Sequence, residues 1–129
     1  MSLLSIEQLS LGFSNTRLVH SVNLSIDAGK TLALVGESGS GKSITAMSIL
    51  QLIDSPSFNI ESGRILWQGD DLLSKNDRHL RHIRGKDIGV IFQEPMTSLN
   101  PLHKIGKQLN EAIMLHQLCD SKTASEIAF

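Results

Sequence analysis

The chain has 129 residues, the length of one ordinary domain; 40% are hydrophobic, 19% are charged, and the net charge is −1. Those values exclude a disordered chain and give no basic excess for a nucleic-acid partner, so no nucleic acid is expected. Cys119 is the single cysteine, which rules out an intramolecular disulfide and a cysteine-built metal cluster.

Met1 to Glu7 shows no basic stretch followed by an apolar run, so no signal peptide is expected. The longest apolar stretch, Leu32 to Val35, is far too short to span a membrane, and the chain is expected to be soluble. Leu4 and Ile6 alternate with polar neighbours. Val22, Leu24 and Ile26 do the same with Asn23, Ser25 and Asp27, the period of half-buried strands. After Ala28-Gly29, the continuous run Thr31 to Val35 predicts a strand covered on both faces, as in a parallel sheet.

Ser43 to Ile53 is predicted as a largely buried helix. Its apolar residues wrap most of the surface and leave Thr45, Ser48 and Gln51 as a thin polar stripe. Asp54-Ser55-Pro56 ends it. Gly63 to Gly69 reads as a short strand, about Asp77 to Arg84 as a short helix, and Ile88 to Phe92 as a second buried strand. Pro95 and Pro101 bound a loop, and a last helix is predicted from about Ile105 to Leu118. Strand, loop, helix and strand in that order mean an α/β fold.

Between the run ending at Val35 and the helix opening at Ser43 stands Gly36-Glu37-Ser38-Gly39-Ser40-Gly41-Lys42-Ser43, a complete G-x-x-x-x-G-K-[ST] motif. Glycines let such a loop curl until successive backbone N–H groups point inward at phosphate oxygens. The helix that follows adds the positive end of its dipole. Lys42 would reach the β- and γ-phosphates, and the Ser43 hydroxyl would be a magnesium ligand. Magnesium suits a site of one hydroxyl, phosphate oxygens and waters. The motif therefore predicts binding of a nucleoside triphosphate, ATP, with Mg2+.

With that motif in place, the chain resembles the ATP-binding subunits of ABC transporters, over about Leu4 to Leu118. It is most similar to the branch that serves bacterial oligopeptide and dipeptide importers. Leu32 to Ser43 contains the Walker A loop, and Ile91-Phe92-Gln93-Glu94-Pro95-Met96-Thr97-Ser98-Leu99-Asn100-Pro101 resembles the Q-loop wording of the peptide-importer branch.

The resemblance implies that Gln93 helps coordinate magnesium and couples the nucleotide site to the membrane partner. It implies that Phe13 is the A-loop aromatic that stacks on adenine, and that Glu94 to Leu102 lies near the docking surface of the transmembrane subunit. It implies transmembrane permease subunits and a second ATP-binding domain as partners. The place implied is the cytoplasmic face of the bacterial inner membrane. A non-transport ABC ATPase remains an alternative, against which the Glu94 to Pro101 string speaks.

The resemblance also implies a fragment. The Leu-Ser-Gly-Gly-Gln signature, the Walker B aspartate with its glutamate, the D-loop and the switch histidine do not occur in these 129 residues. The fold expected is therefore a P-loop ABC domain with an N-terminal antiparallel β region and without its second half. The β region and Walker A core would occupy about residues 1–93, with the Q-loop and the start of a helical region from about 93–129. No catalytic residue is expected here, only nucleotide-binding ones. In the family sheet, the strands between the Walker A and Q-loop strands come later in sequence. Leu32, Leu34, Ile88, Val90 and Ile91 are thus expected to lose cover, leaving the chain to self-associate, rearrange or fold marginally.

Other features point to no chemistry. His79 and His82 stand three apart with no carboxylate or cysteine placed to complete a metal site. Arg78, Arg81 and Arg84 form a basic stripe without interleaved aromatics, which reads as a solvated face. Asp70-Asp71 reads as a turn or helix start.

Overall fold

A computed structural model describes residues 1–129, the side chain of Pro95 excepted. The chain divides into two compact units, Met1–Leu80 and Arg81–Phe129.

The first unit is built on an antiparallel sheet. β1 (Ser2–Phe13) turns through Ser14 and Asn15 into β2 (Thr16–Asp27), and β3 (Phe58–Trp67) returns along the other side of β1. A two-residue turn, Gln68-Gly69, has both φ angles positive, as the twist of a tight hairpin demands, and leads into β4 (Asp70–Asp71). The order is β2-β1-β3-β4. Leu4, Ile6, Leu9 and Leu11 of β1, Val19 of β2 and Ile65 of β3 are buried. The predicted alternation in β2 is present, with Val22, Leu24 and Ile26 half-buried between exposed neighbours. The strand predicted from Gly63 begins earlier, at Phe58, because its pairing with β1 continues to the very end of that strand. Asp71 acts as a helix start, its carboxylate accepting from the Leu73 amide at 3.0 Å.

Gly63 is required by packing. β1 bulges at Gln8, and there Gly63 comes so close that a Cβ would stand 2.6 Å from the Leu9 Cα and 2.7 Å from two backbone carbonyls. Its φ of +103° is also a conformation that side chains resist.

Helix α1 spans Lys42–Ile49, shorter than the predicted Ser43 to Ile53. Gln51 takes a left-handed φ of +51°. Its amide donates to the Ser48 carbonyl and the Leu52 amide to the Met47 carbonyl, a Schellman stop achieved without glycine. The helix also faces the other way from expectation. Thr45 and Ser48 are buried, Ala46 is exposed, and Ile44, Met47 and Ile49 are half-exposed. The two hydroxyls tolerate burial because each donates to a carbonyl of the same helix, on Gly41 and Thr45, at 2.7 Å.

The two predicted parallel strands do not form. Thr31 to Val35 has no strand partner, and Ile88 makes only an isolated bridge to Arg84. A strand needs a neighbour for its amides and carbonyls, and none among the described residues lies alongside either run. Val35 is 93% exposed and Ile91 98%. Of the residues expected to lose apolar cover, Leu32, Leu34, Val90 and Ile91 are exposed, and Ile88 is half-buried.

In the second unit, α2 (Asp77–Ile83), whose first four residues belong to the first unit, meets a tight turn at Gly85 to Ile88. A 3-10 turn, Pro95–Thr97, precedes α3 (Ile105–Gln117), close to the predicted helix. A further helix, α4 (Ser121–Ala128), was not anticipated. The Asp120 carboxylate caps it by accepting from the Thr123 amide at 2.8 Å, and that bond lowers the Asp120 pKa. Asn110 of α3 donates to Ser125 of α4 at 2.7 Å. Among the described residues, no helix is long and apolar enough to cross a membrane.

Two outcomes follow for the folded chain. Gly63→Ala combines a positive φ with a backbone collision, so chemical denaturation should show a loss of about 2–4 kcal/mol. Sedimentation velocity should show association that rises with concentration, because each apolar side chain left uncovered forgoes about 1.5–3 kcal/mol. A compact monomer unfolding cooperatively at high temperature would contradict this.

Candidate nucleotide-binding site

The loop from Gly36 to Ser43 takes its shape from bonds within itself. The Ser40 amide donates to the Glu37 carbonyl at 3.2 Å, closing a turn in which Gly39 has a φ of +81°. Gly41 then caps α1 in the left-handed conformation, φ +92°, with no side-chain cap. The first amide to bond within the helix is that of Thr45, to the Gly41 carbonyl at 3.0 Å. Helix geometry leaves the N–H groups before it without intrahelical acceptors, at the positive end of the dipole.

Lys42 folds back over this loop. Its ammonium donates to the carbonyls of Gly36 at 2.8 Å and Glu37 at 2.7 Å, and to the Ser40 hydroxyl at 3.2 Å. Three donors meet three acceptors, so the cation is held at the mouth of the loop. Ser43, the second residue of α1, is exposed, as are Glu37 and Ser38.

β2 fixes the loop to the sheet. A Cβ on Gly41 would stand 2.8 Å from a methyl of Val19 and 3.5 Å from the Leu18 carbonyl, so glycine is needed here for contact as well as for φ. Beside the loop lies an open cavity of about 400 Å³. Leu18, Val22, Leu24 and Leu34 form its apolar side, and Gly36, Ser40 and Lys42 form its polar side.

Phe13 does not line that cavity. It ends β1 directly opposite Phe58 at the head of β3, and the two rings sit 5.6 Å apart at 59°. Gln93 lies in the second unit, exposed and outside any strand, not at a strand end as expected. His79 and His82 are exposed on α2, and no cluster of three or more potential metal ligands occurs among the described residues.

One residue of the second unit escaped sequence reading. The Gln108 amide of α3 accepts from the Asn100 amide at 2.8 Å and donates to the carbonyls of Asn100 at 2.9 Å and His103 at 3.0 Å. Asn100 in turn accepts from the Leu102 amide at 2.9 Å through its side chain. Together they shape the loop that presents Met96, Leu99 and Leu102 to solvent. A glutamine in a helix carries no pattern that would announce such a clamp.

The ABC transporter family profile matches residues 19–128. The chain belongs to the ABC transporter family. It is 54% identical over 120 residues to an uncharacterized ABC transporter ATP-binding protein, YejF, of Escherichia coli (strain K12), covering 90% of this chain and 23% of that protein. It is 42% identical over 130 residues to the oligopeptide transport ATP-binding protein OppD of Bacillus subtilis (strain 168), covering 98% of this chain and 36% of that protein. The chain thus spans about a quarter to a third of the length of these curated relatives.

Among solved structures, an ATP binding subunit of an ABC transporter aligns with a TM-score of 0.63 at 24% identity, covering 94% of this chain and 45% of that one, which shows the fold alone. A bacterial Atm1-family ABC exporter with ATP bound aligns with a TM-score of 0.54 at 26% identity, covering 70% of this chain and 16% of the exporter. The ABC ATPase fold with its N-terminal antiparallel sheet is that of this chain, and the 129 residues form part of such a domain.

Replacing Gln108 with Ala removes the acceptor for the Asn100 amide. Hydrogen exchange should quicken there by about tenfold, in keeping with the loss of a bond worth roughly 0.5–1.5 kcal/mol.

Proposed function

We propose that this chain binds ATP with Mg2+ as the nucleotide-binding part of an importer for peptides or related small solutes. The observation that carries this is the Gly36–Ser43 cradle, curled by left-handed glycines with a lysine ammonium held at its mouth. The amides at the head of α1, which have no acceptor within the helix, and the Lys42 charge suit a polyphosphate. Ser43 would supply one hard oxygen ligand, which fits magnesium held otherwise by phosphate oxygens and waters. Magnesium, when bound, would neutralise charge on the phosphates. Phe13 would carry the adenine ring.

The peptide-importer reading is supported by the relatives, which include oligopeptide and dipeptide transport ATP-binding proteins. In this role the chain would act with transmembrane permease subunits and a second ATP-binding domain, at the cytoplasmic face of the bacterial inner membrane. Ligand positioning and charge neutralisation at the γ-phosphate are what these residues contribute. The ABC ATPase family hydrolyses ATP, and the resemblance to that family assigns no residue of this chain to the Walker B aspartate or glutamate that would orient water. We therefore infer nucleotide binding without turnover for them alone.

Calorimetric titration with MgATP tests both parts. Lys42→Ala should weaken binding by about 2 kcal/mol or more, which is some thirtyfold in dissociation constant. Phosphate release by the parent chain should not exceed that of the variant. An unchanged affinity in a folded Lys42→Ala protein would remove the phosphate-binding assignment.

A further inference from the structure

We propose that Phe58 is a positioning residue for nucleotide binding, holding the Phe13 ring in the attitude in which a base stacks on it. This rests on the proposed role of Phe13 as the base platform. Phe13 ends its strand next to a two-residue turn, a place where a lone side chain would be free to change rotamer. Phe58 removes that freedom. The two residues are direct cross-strand partners, and their rings meet at 5.6 Å and 59°, a tilted contact in the favourable range for aromatic pairs. Both side chains are only half-buried, so the pair is not sunk in the core and part of its surface is open to a ligand.

Phe58 is itself braced. Its amide donates to the Ser55 carbonyl at 3.0 Å, and the Ser14 amide donates to the Ser57 carbonyl at 2.7 Å, tying the turn after Phe13 to the approach of β3. Arg17 of β2 reaches Glu61 of β3 with two nitrogens, the Nε at 2.7 Å, across the same end of the sheet. Position along the sheet also fits. Thr16, paired with Phe13, lies three residues before Val19, which touches Gly41 of the phosphate loop. That is a rise of about 10 Å along a strand, within the reach of an extended nucleoside triphosphate. A ring fixed beforehand spares the ordering cost on binding.

The test compares MgATP with inorganic tripolyphosphate, which has the phosphates and no base. Phe58→Leu should weaken ATP binding by roughly three- to tenfold and leave tripolyphosphate binding unchanged, and Phe58→Tyr should restore ATP affinity. Equal weakening for both ligands, or no change for either, would overturn the proposal. Phe13→Leu separates the underlying reading: if it leaves the ratio of the two affinities unaltered, Phe13 is no base platform and both assignments fall. A ratio lowered by Phe13→Leu but not by Phe58→Leu overturns Phe58 alone. Nuclear Overhauser contacts in the unaltered chain give a check that needs no variant. Adenine protons should reach the Phe13 ring more strongly than that of Phe58, and the reverse order would refute the assignment.

Discussion

Backbone pairing decides which parts of this chain can hold a shape by themselves. β1 lies between β2 and β3, so its amides and carbonyls find partners on both sides. From that strand the rest of the first unit is hung. β2 carries Val19 to the phosphate loop, and β3 carries Phe58 to Phe13. The runs 31–35 and 88–92 have the composition of strands and lack the neighbours, and they stay outside any sheet. The Gly36–Ser43 loop is therefore anchored to the sheet through β2, where Gly41 lies against Val19.

This separates two properties that a complete domain would join. The cradle's conformation depends on residues 36 to 45 and on one methyl contact, all local in sequence or a single strand away. The stability of its surroundings depends on apolar faces that remain half-exposed, among them Ile44, Met47 and Ile49 of α1. Under the proposed function, recognition of a polyphosphate needs the first property and cooperative folding needs the second. A chain can possess one while being poor in the other.

What sequence could reveal follows the same line. The curl of the Gly36 to Ser43 loop was legible because Gly39 and Gly41 take left-handed φ values that glycine adopts freely. The alternation in β2 was legible because one face is covered by this chain's own residues. Thr31 to Val35 and Ile88 to Phe92 misled because a hydrophobic run reports a preference for burial, and whether a neighbour is present is not written in the run. Thr45 and Ser48 misled in the opposite sense: a hydroxyl that can donate to its own helix is less polar to its surroundings than its formula suggests. The stop at Gln51 and the Gln108 clamp left no trace in sequence, since neither uses the residue types that mark caps and turns.

The way Lys42 is held has a temporal meaning. Because the ammonium already satisfies three acceptors of its own loop, the cradle is ordered when the chain folds, not when a ligand arrives. The entropy of arranging eight flexible, glycine-rich residues is spent once, in advance. Under the proposed function, arrival of a phosphate would then require an exchange of partners at one cation and no search by the loop. Under the proposed function, occupancy of such a site would follow rapid changes in free nucleotide, with departure of the ligand, and no refolding step, setting how quickly it resets.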